Sequence, residues 1–193
     1  MSDVTPDVII RPGSEADLEA LTDLYNAYVR TTPITFDTEP FTAEARRPWL
    51  LAHPDHGPHR LFVAEETVAG GRVLGYATSS AFRPKAAYST SVEVTVYCAP
   101  DAGGRGIGTQ LYEALFKALE SEDVHRAYAG VTQPNEASVR LHTRFGFRPI
   151  GTYREVGRKF GRYYDVAWFE KELDGDPGSC GEGGAGSEGD ERP

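Results

Sequence analysis

The densest group of residues able to do chemistry runs from Ser91 to Tyr112, SVEVTVYCAPDAGGRGIGTQLY. Val92, Val94, Val96 and Cys98 alternate with Glu93, Thr95 and Tyr97, the period-two pattern of a strand with two unlike faces. Pro100 cannot donate to a ladder and marks the strand's end. Gly103, Gly104, Gly106 and Gly108 follow with Arg105 among them, and Ile107, Leu111 and Leu115 then recur at helical spacing. A strand, glycine turn and helix in this order offer an anion the free N–H groups of a helix start, its macrodipole and one guanidinium. Glycines also let a phosphate approach the backbone closely. A Walker A loop needs lysine where Gly108 stands, and a dinucleotide fingerprint needs glycine where Thr109 stands, so both are excluded. A glycine-rich turn with no ligand stays open beside the anion reading.

Three further residues lie in the loop before this strand. Arg83, Lys85 and Tyr88, in FRPKAAYS, put two cations beside an aromatic ring, which suits a small anionic substrate or else an ordinary charged surface. His142 follows Leu141 on a helix packed through Val139, Leu141 and Phe145, a setting in which histidine is ordinarily structural. Cys98 reads as a small buried strand residue rather than a nucleophile. His53, His56 and His59, spaced by prolines and a glycine with no cysteine near, read as a solvated loop and not a metal site. Phe36, apolar in a polar loop, either anchors that loop or walls a pocket.

The elements that must position these residues follow from periodicity and punctuation. Val8 to Arg11 is a first strand stopped by Pro12 and Gly13. Ser14 caps a helix with acids in its first turn, along which Leu18, Leu21, Leu24, Tyr25 and Tyr28 fall at helical spacing. Thr42 caps a second helix that Pro48 should break or kink. Leu61–Ala64 and Val73–Ala77 are strands joined through Ala69-Gly70-Gly71, a hairpin signal. After the central helix, a strand from His125 to Thr132 leads to Asn135, a helix N-cap by type and position, and Gly146 stops that helix. Two strands, Gly151–Gly157 and Tyr163–Leu173, close the order.

Length and charge narrow the classes. The 193 residues suit one domain with a tail. Of the net charge of −9, more than half falls in residues 174–193, a glycine-rich acidic stretch expected to be a disordered tail. The body is therefore only mildly acidic, which argues against general nucleic-acid binding. Two cysteines, Cys98 and Cys180, make no disulfide framework and suit a reducing compartment. With no h-region and no long apolar run, the expectation is a cytoplasmic protein away from membranes.

The glycine stretch resembles the pyrophosphate loop R/Q-x-x-G-x-G/A of the GNAT N-acetyltransferases, with one departure: Gly103 stands at the leading Arg/Gln position. The strings YNAYV, TFDTEP, AYSTSVEVTVY, NEASVRLH and KFGRYYDV fall in the order seen in the phosphinothricin and methionine sulfone/sulfoximine N-acetyltransferases of that family. The resemblance covers residues 8–173 and implies a single α+β domain, a mixed central sheet flanked by helices. It implies acetyl transfer from acetyl-CoA, without a metal, to the α-amino group of a small amino acid, in an enzyme commonly homodimeric. Glu93 matches the position of the general base, and burial on an apolar strand should raise its pKa toward the working range. His142 matches a second acid/base or orienting position. Val96, Tyr97 and Cys98 would offer backbone to the pantetheine arm, with Asn135 opposite; Gly104, Arg105, Gly106, Ile107, Gly108 and Thr109 would hold the pyrophosphate. Phe36, Arg83, Ala86, Ala87 and Tyr88 would border the acceptor. Another amine (a polyamine, an aminoglycoside or a protein N-terminus) and a non-catalytic acyl-CoA-binding regulator are the competing readings.

Overall fold

The structure, a computed structural model, describes residues 8–67 and 71–173. The acidic tail from 174 and the first part of the expected hairpin turn, at Ala69 and Gly70, lie outside the described residues. The elements run β1 (Val8–Pro12), α1 (Leu18–Thr31), α2 (Ala43–Leu51), β2 (Leu61–Glu66), β3 (Val73–Ala81), β4 (Ser91–Cys98), α3 (Ile107–Leu119), β5 (Arg126–Thr132), α4 (Glu136–Arg144), β6 (Arg148–Lys159) and β7 (Arg162–Glu172). This is the expected order. It differs in extent, the last hairpin above all: β6 and β7 meet at Phe160-Gly161, both at positive φ, the two-residue turn whose twist suits paired strands.

The strands form one mixed sheet, ordered β1-β2-β3-β4-β5-β7-β6. Every neighbouring pair is antiparallel except β4 with β5. The period-two alternation of β4 sorts its side chains between two helical layers. Val96 and Cys98 lie against Gly108 of α3, whose own neighbour is Leu141 of α4. Tyr97 faces the other way and packs edge-on to Tyr25 and Tyr28 of α1, at ring separations of 5.3 and 5.0 Å. Glu93 and Thr95 share the Tyr97 face. Ile107, Leu111, Leu115 and Leu119 are buried, the apolar stripe that their spacing predicts.

Two expectations are corrected. Of the break or kink expected at Pro48, the break does not occur: the α2 helix runs through Pro48 to Leu51. Thr42 caps its start, accepting from the Ala45 N–H, and the buried Arg46 and Leu50 hold it to the body. His53 is not solvated: it is 8% exposed, with Nδ1 2.7 Å from the Trp49 carbonyl and Nε2 2.8 Å from the Ser80 hydroxyl. That pairing of α2 with β3 satisfies both ring nitrogens, and burial lowers its pKa.

Candidate active site

The parallel pairing of β4 with β5 lasts three rungs, Ser91 with Arg126, Val92 with Ala127 and Glu93 with Tyr128. Past Glu93 the two strands part, while β4 stays paired with β3 and β5 with β7. A cleft of about 290 Å³ opens in the fork, walled by Val94–Cys98 on one side and by Gly130–Thr132, Asn135, Ser138 and His142 on the other. Over this length the β4 backbone has no strand partner on its β5 side. A fork of this kind leaves peptide groups ready for an extended ligand arm. The Cys98 carbonyl is partly engaged, accepting from the Tyr28 hydroxyl at 2.6 Å.

At the outer end of the cleft lies the glycine turn. Gly104 and Gly106 have φ of +78° and +74°, a region costly for residues with a Cβ, and no atom lies within 4 Å of where that Cβ would stand. Gly106 caps α3, and the Gln110 N–H is the first to bond back to its carbonyl. The N–H groups of Ile107, Gly108 and Thr109 therefore precede the ladder and are available. Donors with open space above them fit a pyrophosphate. The Ile107 side chain is buried, so its backbone alone can take part. Arg105 turns toward β2, where its Nη1 lies 2.8 Å from Glu66, leaving a buried Nη2 without a protein partner. Asn135 spends its side-chain carbonyl on the Ser138 N–H, capping α4, so its Nδ2 is what it can offer a ligand.

Glu93 stands at the last rung before the strands part. Burial raises its pKa and the Arg83 guanidinium, 3.9 Å away, works against that rise. Arg83 lies over the Phe82 ring at 4.2 Å, and Phe82 stacks on Tyr128 at 4.3 Å. The next residues form a single exposed turn, Ala86–Tyr88, and Tyr88 meets Phe82 edge-on. Phe36 packs on the Gly157 backbone, where a Cβ would stand 2.1 Å from its ring, a contact that ties its loop to β6.

His142 is 4% exposed. Its Nδ1 lies 2.7 Å from the Ser138 carbonyl, which can only accept, so Nδ1 carries the proton. Nε2 then accepts from the Tyr112 hydroxyl at 2.9 Å. Burial lowers the His142 pKa, consistent with a neutral ring.

The chain matches the acetyltransferase (GNAT) domain model over residues 10–168. It belongs to the GNAT acetyltransferases. It is 69% identical over 169 residues to a phosphinothricin N-acetyltransferase of Streptomyces coelicolor, spanning 88% of this chain and 98% of that one. An L-methionine sulfoximine/L-methionine sulfone acetyltransferase of Pseudomonas paraeruginosa is 34% identical over 165 residues, 86% of this chain and 94% of its own. The solved phosphinothricin acetyltransferase of Sinorhizobium meliloti in complex with acetyl-CoA superposes with a TM-score of 0.79 at 28% identity, over 91% of this chain and 94% of that one. This GNAT chain is thus an acetyl-CoA-dependent N-acetyltransferase of the phosphinothricin and methionine sulfoximine branch, with the α+β fold expected.

Within the GNAT fold Asn135 and His142 line the cleft with the fork, Gly108 lies against its Val96, Cys98 and Leu141 walls, and Glu93, with Arg83 beside it, stands one residue before the Val94 wall. Sequence reasoning missed Tyr112, the partner of His142, which reads as one more core aromatic. The signal was its hydroxyl, since a fully buried tyrosine needs a partner. Among the described residues no group of three or more His, Cys, Asp or Glu side chains is placed to hold a metal, and no helix is long and apolar enough to cross a membrane.

Proposed function

We propose that this enzyme acetylates the α-amino group of a small glutamate- or methionine-like amino acid, of the phosphinothricin or methionine sulfoximine/sulfone kind, with Glu93 as general base. The observation that carries the reading is the setting of Glu93: a carboxylate with raised basicity, where β4 and β5 part, beside a guanidinium. The names of the two relatives support the same acceptor class.

An α-amino group titrates near pH 8 or above, so the acceptor arrives largely as an ammonium and must lose a proton before its nitrogen can attack. In this reading Glu93 takes that proton, and its burial makes it a better base than a free carboxylate. Arg83, next to Glu93, meets the carboxylate on the same carbon as the amine. Tyr88, Ala86 and Ala87 form the exposed rim on that side, while Phe36 acts at one remove by holding its loop to β6.

Acetyl-CoA supplies the activated acyl group. The N–H groups of Ile107, Gly108 and Thr109 and the bare backbone of Gly104 and Gly106 would hold its pyrophosphate, with Arg105 adding charge. The unpaired edge at Val96, Tyr97 and Cys98, with Asn135 Nδ2 opposite, would take the arm. His142, with both ring nitrogens engaged, is read as a positioning residue that orients the Tyr112 hydroxyl. The resemblance also implies a homodimer, which light scattering would test.

The test is thiol release from acetyl-CoA with phosphinothricin, methionine sulfoximine, methionine sulfone, spermidine, an aminoglycoside and a peptide, in wild type and Glu93→Gln. Turnover on the three amino acids is expected, with kcat lowered about 10²- to 10⁴-fold in the variant. Turnover confined to the polyamine, aminoglycoside or peptide would overturn the acceptor class. A variant as fast as wild type would overturn the base.

A further inference from the structure

A second pocket, of about 250 Å³, lies on the Glu93 face of the sheet, between α1, α2 and β3. It shares Thr95 and Tyr97 with the catalytic cleft, so the two meet across β4. Thr95 is two residues beyond Glu93 on the same face, about 6.6 Å along the strand. That is the reach of an amino-acid side chain of three or four atoms.

The pocket holds a buried cation with a donor to spare. Arg46 is 6% exposed, and its guanidinium lies between the Tyr25 and Trp49 rings, 4.1 Å from each centroid. Tyr76 lines the same pocket, and Arg46 Nη1 is buried with no hydrogen-bond partner. Among the other polar side chains of the pocket, Thr78 pairs with Thr95, Ser80 with His53, and Tyr25 with Thr35 and Asp37. Among the described residues Arg46 is the one lining residue with a buried unpartnered side-chain atom. Asp37 also lines the pocket, but it is exposed and accepts from Tyr25, so the buried end is positive. His53 adds no positive charge there, because burial favours its neutral form.

A buried donor left unsatisfied is costly, and a guanidinium can only donate. Stacking on two aromatic faces holds the cation without supplying an acceptor. What completes the site is an acceptor oxygen, best an anionic one. An ammonium cannot, since it meets like charge.

We propose that this pocket takes the side chain of the acceptor amino acid and that Arg46 Nη1 donates to an oxygen at its far end: carboxylate, phosphinate or sulfone. The inference rests on the amino-acid acceptor proposed above. It divides the labour between two arginines: Arg83 meets the α-carboxylate beside Glu93, and Arg46 reads the end of the side chain. Arg46 is then a specificity-determining residue.

The experiment compares kcat/KM for methionine sulfone and norleucine, which fill similar space but differ in the terminal oxygens. Wild type is expected to prefer the sulfone by about 10²-fold or more, because norleucine leaves the donor unpaired. In Arg46→Met that ratio is expected to fall to about one, with the KM for acetyl-CoA unchanged. A ratio left intact, because both acceptors fall together or neither falls, would overturn the role of Arg46 while leaving the acceptor class standing. Failure of wild type on every α-amino acid is a different result: it overturns the acceptor class first and this inference with it. Should Arg46→Met not fold, the wild-type ratio decides, and a value below about 10²-fold overturns the proposal.

Discussion

Glu93 and Arg83 set each other's behaviour at the scale of single residues. Burial raises the Glu93 pKa and the nearby guanidinium lowers it, with burial the larger effect. In Arg83→Met the opposing charge is gone, so the low-pH limb of the kcat/KM profile should move to higher pH. Arg83→Lys, which keeps the charge, should move it less. Profiles from about pH 5 to 9 with one acceptor would show this, the amine's own titration lying toward the alkaline end. A limb that stays in place in Arg83→Met would mean that Glu93 does not govern it. The place of Glu93 on a strand could be read from sequence because alternation with valines is a local signal. Arg46 could not. It sits in a helix beside Arg47, with the look of a solvated face, and its burial depends on rings from α1, α2 and β3 brought over it by the fold. His53 was misread for the same reason: its partner Ser80 is 27 residues away in sequence.

The glycine turn decides cosubstrate binding at the scale of an element, and its glycines are not equivalent. Gly106 caps α3 at φ +74°, so Gly106→Ala should cost about 1–2 kcal/mol through the left-handed backbone alone. That corresponds to a fall in Tm of about 2–8 °C for a chain of this size. The KM for acetyl-CoA should rise several-fold while that for the acceptor holds. Gly103 has φ −60° and ψ 143°, with the nearest atom to an added Cβ at 3.9 Å. Gly103→Ala should therefore be neutral, or raise stability by up to about 1 kcal/mol by restricting the unfolded chain. Thermal melts of the two variants would separate them, and equal losses would mean that φ is not what distinguishes these positions. The turn was legible because its backbone conformation restricts residue type. The parting of β4 from β5, which makes the cleft, was not. Nothing in either strand's own alternation says that pairing stops after Glu93, because β4 keeps its β3 partner and β5 its β7 partner on both sides of that point.

For the whole molecule, two buried histidines make stability depend on pH in a fixed direction. His53 joins α2 to β3 and His142 joins α4 to α3, so each links a helix to the element behind it. Burial lowers both pKa values below 6.5. The unfolded chain then takes up protons as pH falls through about 6.5 while the folded one does not, and by linkage folding weakens. The contribution is fully present above the unfolded pKa and declines below it, by at most about 1.4 kcal/mol per pH unit for each histidine. Melts from pH 7.5 to 5.5 should show Tm falling below about pH 6.5, before the surface carboxylates begin to titrate. Replacing His53 by glutamine, which keeps a donor and an acceptor but cannot be protonated in this range, should lower the slope in that window. His142→Gln should lower it again, independently, since the two sites lie on opposite faces of the sheet. A slope unchanged in both variants would mean that neither ring is held neutral. The fold's grip on its helices would then have to be sought in its apolar contacts alone.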